Sequence, residues 1–127
     1  TGKKVLLVDD NPYNIDIALE LLQEKGFIVD VAENGKDAVE KVKKYLPQRY
    51  DIVLMDIQMP VMNGYEATKE IRNINGLGKD ELPVIAMTAN AFAEDRMAAF
   101  DAGMNAHLVK PVVIEELYKV LSEYVRG

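Results

Sequence analysis

The sequence contains no cysteine, so disulfide staples, zinc–cysteine centres and thiol catalysis are excluded together. A single histidine, His107, excludes any two-histidine metal site or paired-histidine chemistry. Positive charge is in deficit: 15 Lys and Arg stand against 21 Asp and Glu, a formal net charge of -6. That balance argues against a broad nucleic-acid or anionic-membrane surface, because both need a local excess of positive charge. No apolar run approaches the ~20 residues of a membrane span. The N-terminal Thr1-Gly2-Lys3-Lys4 lacks the apolar stretch of a signal peptide, so the expected setting is cytoplasmic, without membrane contact by this domain. Repeats, low-complexity tracts and linkers are absent as well. What is there, 127 residues with 49% hydrophobic and 28% charged, suits one globular domain over residues 1–127.

Short apolar runs alternate with amphipathic stretches from end to end. Val5-Leu6-Leu7-Val8 is followed by Ile15, Ala18, Leu19 and Leu22 at the spacing of one helix face, and Gly26 suits a C-cap. Ile28 to Ala32 leads through Asn34-Gly35 to a second helical pattern that stops at Pro47. Ile52-Val53-Leu54-Met55 precedes a helix through Tyr65, Thr68 and Ile71, and Val84-Ile85-Ala86-Met87 precedes one through Met97 and Phe100 that Gly103 can end. Leu108-Val109 precedes a last helix bearing Ile114, Leu117, Leu121 and Tyr124. The stripes of these helices are read as core, and Asn73 to Leu82 as a surface connection. Uniformly apolar runs of about four residues suit strands buried on both faces of a parallel sheet. Five β–α units in a row predict a doubly wound open five-stranded parallel α/β sheet with helices on both faces, not a barrel, which needs eight.

In such sheets ligands bind beyond the carboxyl ends of the strands, so the residues after each run carry the chemistry. Strand one ends in Asp9-Asp10, strand three in Asp56, strand four in Thr88 and strand five in Lys110-Pro111. Singly, each has a plain reading: Asp9-Asp10-Asn11-Pro12 as a capped strand-to-helix turn, Thr88 as a β-branched strand end, Lys110 as a solvated loop residue. Asp56, directly after four apolar residues, needs solvent, a cation or a hydrogen-bond partner. Together, three carboxylates, a hydroxyl and an ammonium converge on one edge. They make a hard-oxygen site suited to Mg²⁺, which shares its shell with phosphate oxygens. A carboxylate there can act as nucleophile toward phosphorus, with Lys110 and Thr88 contacting the transferred group. The pattern leaves open which Asp attacks and favours Asp56, because Asp9 and Asp10 look like a paired metal clamp.

Val8-Asp9-Asp10-Asn11, the stretch Met55-Asp56 through Asn63-Gly64, Met87-Thr88-Ala89 and Val109-Lys110-Pro111 together resemble the receiver domain of two-component response regulators. The likeness spans essentially the whole chain in the right order. Gly64-Tyr65-Glu66-Ala67-Thr68 and Thr88-Ala89-Asn90-Ala91-Phe92 look most like receivers of hybrid sensor histidine kinases. The resemblance implies a flavodoxin-like strand order of 2-1-3-4-5. It implies that Asp56 accepts a phosphoryl group from a histidine on a partner sensor kinase or histidine phosphotransfer protein. It also implies Mg²⁺ held by Asp10 and Asp56 directly, by Asp9 through water and by the Gln58 backbone carbonyl. Lys110 would bind a phosphoryl oxygen, the Lys110-Pro111 bond would be cis, and Thr88 and the Ala89 backbone N–H would close on the phosphoryl group. The face of helix four, strand five and helix five would then be reshaped. His107 stands where the family usually has Tyr or Phe, and is read either as a switch residue or as a plain edge-strand histidine. Asn63 replaces a commoner aspartate, Gln58 and Asn90 flank the acceptor and the threonine where hydrolytic water is tuned, and Tyr118 on helix five is read either as part of the signalling face or as plain packing. The domain would sit in the cytoplasm, alone or as part of a membrane-bound hybrid kinase, and a homodimer through the helix-four to helix-five face is open.

Three other classes of protein compete with the phosphoacceptor. A haloacid-dehalogenase-type phosphatase needs a second acid two residues after its nucleophile, where Gln58 stands, and a capping insertion. A receiver-like interaction module free of phosphate would have no need of Asp56, Lys110 and the acidic pair, all of which are present. A flavin or nucleotide binder would want a Gly-rich loop after strand one, where Asp9-Asp10 instead repels phosphate. The reading is therefore not of an enzyme acting on other substrates, but of a domain that catalyses only its own phosphorylation and dephosphorylation.

Overall fold

The computed structural model describes residues 2–59, 61–74, 77–89, 93–110 and 112–125, of which 93–95 as backbone only. Five β–α units follow one another: β1 (Lys4–Val8), α1 (Pro12–Glu24), β2 (Ile28–Ala32), α2 (Gly35–Tyr45), β3 (Ile52–Asp56), α3 (Gly64–Arg72), β4 (Val84–Thr88), α4 (Ala93–Ala102), β5 (Ala106–Val109) and α5 (Ile114–Tyr124). The strands pair in parallel in the order β2-β1-β3-β4-β5, as expected. Chain order therefore reverses between β1 and β3, whose register sets Val8 beside Met55. A crevice for ligands opens beyond that reversal.

Apolar residues alternate between two cores because successive side chains of a strand point to opposite faces. Leu6, Val8, Val53, Met55, Val84 and Ala86 pack against Val39 and Val42 of α2 and Ala67 and Ile71 of α3. Val5, Leu7, Ile52, Leu54, Ile85 and Met87 pack against Ala18 and Leu22 of α1 and Leu117 and Leu121 of α5. The central strands β3 and β4 are buried throughout, whereas the edge strands β2 and β5 are only partly covered. The expectation of burial on both faces thus holds for the middle of the sheet and not for its edges.

Local signals end the helices where the sequence places them. Gly26 and Gly103 take φ of 86° and 102°, the left-handed region that lets the chain leave α1 and α4. Asn63 caps α3: its side chain accepts from the Glu66 N–H while the Glu66 carboxylate accepts from the Asn63 N–H. Gly64 begins α3 so close to β3 that a Cβ would collide with the Asp56 carbonyl oxygen. One expectation fails at α4. Met97 and Phe100 are not core but 66% exposed, because the helix turns its small residues Ala99 and Ala102 toward the protein. Tyr118 packs in the core shared by α1 and α5, with Lys25 Nζ 4.9 Å from its ring centre.

Candidate active site

The ends of four strands, β1, β3, β4 and β5, and the loops after them make the site. Asn11 is the N-cap of α1, its side chain accepting from the Tyr13 N–H at 2.9 Å, with Pro12 in the first turn. The plain reading of that turn is correct for these two residues. It leaves Asp9 and Asp10 free for other work. Asp9 is 2% exposed and turned inward, where one carboxylate oxygen accepts from the Asn11 N–H at 2.9 Å. Asp56, 4% exposed at the end of β3, accepts from the Gln58 N–H at 3.3 Å. Lys110 follows β5 and is pinned to β4 by its own N–H, which donates to the Thr88 carbonyl at 2.7 Å.

The Lys110 ammonium lies 3.0 Å from Asp56 Oδ1 and 3.2 Å from Asp9 Oδ2, so one cation is shared by two buried carboxylates. Asp10 is exposed, yet each of Asp9, Asp10 and Asp56 offers an oxygen within 4.8 Å of the others. Burial first, and then the charge of Asp9, push the Asp56 carboxyl up to about 6, and Lys110 only partly offsets them. Burial lowers the Lys110 ammonium, but Asp56 and Asp9 more than reverse this and hold it above its ordinary value. Three acids against one lysine leave the site net negative, and the chemistry of these oxygen donors fits a hard divalent cation such as Mg²⁺. A cleft of about 130 Å³ opens over them, bordered by Thr88, Ala89 and Gln58. Thr88 is nearly buried, while Gln58 and Ala89 are exposed at the rim.

The structure thus brings Asp9, Asp10, Asp56, Thr88 and Lys110 to one cleft, with Gln58 and Ala89 at its border. His107 is not among the residues bordering it. It is half-buried on β5, opposite Ala86 of β4, and burial followed by the positive charge of Arg96 lowers its titration. Pro111, expected to follow a cis bond, and Asn90 lie outside the described residues. Asn14, which also lines the cleft, was missed. The available signal was its spacing, one helical turn beyond Asp10.

Comparison with known proteins agrees with this geometry. The sequence profile of the response regulator receiver domain matches residues 5–122, and the chain belongs to that family. Hybrid signal transduction histidine kinase L of Dictyostelium discoideum is 40% identical over 124 residues, which are 95% of this chain and 7% of that protein. Probable histidine kinase 1 of Oryza sativa subsp. indica is 34% identical, over 96% of this chain and 15% of its own length. The chain therefore spans only a small part of these kinases. Among solved structures, the receiver domain of a sensor histidine kinase from Pseudomonas aeruginosa, with a magnesium ion in its active-site cleft, is 40% identical. It superposes with a TM-score of 0.85 over 98% of both chains. The receiver domain of a Saccharomyces cerevisiae response regulator, co-crystallised with a histidine phosphotransfer signaling protein, is 32% identical with a TM-score of 0.89, covering 98% of this chain and 89% of that one.

Proposed function

We propose that residues 1–127 form one receiver domain that takes a phosphoryl group onto Asp56 from a phosphohistidine of a sensor kinase or histidine phosphotransfer protein. The observation that carries this reading is the placement of Asp56. It is buried at the end of the central strand, 3.0 Å from Lys110 and beside two further acids. The Asp56 carboxyl, at about 6, is ionised at neutral pH and so available as a nucleophile. Its oxygen attacks phosphorus in line, the P–N bond to the donor histidine breaks, and the electron pair returns to the imidazole. Lys110 exchanges its contact with Asp56 for a phosphoryl oxygen, and the Thr88 hydroxyl and Ala89 N–H supply further donors. Asp9, Asp10 and Asp56, with the Gln58 carbonyl, would hold Mg²⁺, which when bound supplies positive charge beside the phosphoryl oxygens.

Signalling follows from the new charge. A phosphoryl group adds nearly two negative charges, and drawing Thr88 and Lys110 toward it pulls on the ends of β4 and β5. The face of α4, β5 and α5 includes His107 of β5, and we take it as the output surface. The domain works in the cytoplasm, and its catalysis is confined to its own aspartate. The test is intact mass after incubation with Mg²⁺ and acetyl phosphate. One added phosphoryl group, dependent on Mg²⁺ and absent from Asp56→Asn, is expected. No adduct and no phosphate release from the donor would overturn the reading in favour of a phosphate-independent interaction module.

A further inference from the structure

Asn14 lies on α1 one turn beyond Asp10 and borders two spaces at once. One is the phosphorylation cleft; the other is a small cavity of about 40 Å³ lined by Leu7, Ile17, Ala18, Met87 and Val112 together with Asp9 and Lys110. Among the described residues no hydrogen bond engages the Asn14 carboxamide. The neighbouring Asn11 carboxamide, in contrast, is committed to capping the helix. Asn14 is half-buried and the charged groups beside it, Asp9 and Lys110, are engaged with each other, so its carboxamide is available to what enters the cleft. The outer flank of the same helix exposes Tyr13 at 72% and Ile17 at 38%. Asn14 is therefore the polar group between the reacting acids and an apolar shoulder facing outward.

We propose that Asn14 orients the donor: its Oδ1 accepts a hydrogen bond from the free ring N–H of the phosphohistidine imidazole while Asp56 attacks phosphorus. This inference rests on the phosphoacceptor reading above. The ring carries phosphorus on one nitrogen and a proton on the other. As the O–P bond to Asp56 forms and the P–N bond breaks, the electron pair goes to the ring nitrogen and the proton stays where it is. The ring then leaves as neutral imidazole rather than as an anion. A carboxamide can hold that N–H without adding a fourth negative charge to a cleft that already has three.

The experiment compares phosphoimidazole, which has the ring, with acetyl phosphate, which lacks it, by the ratio of the two rates of phosphorylation. Leucine has nearly the shape of asparagine and suits the apolar cavity wall. Asn14→Leu is expected to lower the ratio about fivefold or more, the loss of one hydrogen bond to a charged donor. Asn14→Ala should do the same, guarding against a peculiarity of one variant, and far-UV melting checks that each is folded. Asn14→Asp keeps the acceptor and should restore the ratio, even if its charge slows both donors. An unchanged ratio in the leucine and alanine variants overturns the proposal, as does a fall that aspartate fails to restore. Wild-type protein phosphorylated by neither donor would instead remove the phosphoacceptor reading, and this inference with it.

Discussion

At Asp56 two demands conflict: a nucleophile has to be ionised, yet this one is buried beside another carboxylate. Its carboxyl stands at about 6 against an ordinary value of 3.8. The folded state therefore holds a proton that the unfolded chain releases between these values. Stability falls as pH rises through that window, and the loss is complete above pH 6. Asp56→Asn removes the penalty and leaves the 3.2 Å pair of Lys110 and Asp9 in place. In chelator at pH 7 the variant should be more stable by about 2 kcal/mol in urea denaturation, with a flatter profile between pH 4 and 6. A less stable variant would mean that the lysine contact outweighs burial and repulsion. A second strained residue is Val61, a β-branched side chain at φ 70° and 79% exposed. Val61→Asn should add about 1 kcal/mol by the same assay, since asparagine tolerates this region of backbone better. The acids, Thr88 and Lys110 were legible in the sequence because each directly ends an apolar run. Asn14 was not, since an asparagine in an amphipathic helix looks like any solvated position until the helix is docked.

Among the elements, α3 is joined to its surroundings by Arg72. Its guanidinium donates to the carbonyls of Gly103 at 2.9 Å and Leu82 at 2.8 Å, to those of Leu77 and Gly78 at 3.2 Å, and to Asn105 Oδ1 at 3.1 Å. The end of α3, the connection to β4 and the turn before β5 thus meet on one side chain. Burial lowers this guanidinium to about 10, with the charge of Glu81 opposing, and it remains charged at neutral pH. Arg72→Met leaves several of these acceptors without a donor and should cost about 3 kcal/mol in equilibrium denaturation. A loss under 1 kcal/mol would mean that water replaces the guanidinium readily. No sequence pattern announces such a residue, because its partners are mostly backbone carbonyls. The same limit explains α4. Met97 and Phe100 have helical spacing, but spacing cannot say that alanines will face the protein and leave the large residues outside. The inner strands were legible because uniformly apolar four-residue runs have little use except in the middle of a parallel sheet, whereas the edge strands β2 and β5 interrupt that pattern with Asp30 and His107.

For the whole molecule, the site works against the fold in the absence of a cation, because three acids with oxygens within 4.8 Å share one lysine. Anything that binds this cluster only in the folded state stabilises the entire domain by mass action, about 2.7 kcal/mol at a hundredfold excess over Kd. Thermal stability at pH 7 should therefore climb with Mg²⁺ concentration and plateau only slowly. Asp10 is exposed, so Asp10→Ala should keep the metal-free fold and lose the response to Mg²⁺. Protons compete for the same oxygens. At pH 5 the Asp56 carboxyl, titrating at about 6, is mostly neutral, and the stabilisation by a given Mg²⁺ concentration should shrink. Melting curves at both pH values, for wild type and Asp10→Ala, separate the contributions. A wild-type melting temperature indifferent to Mg²⁺ at pH 7 would mean that the acids are not a cation site, and that Lys110 alone must balance the charge brought by a phosphoryl group.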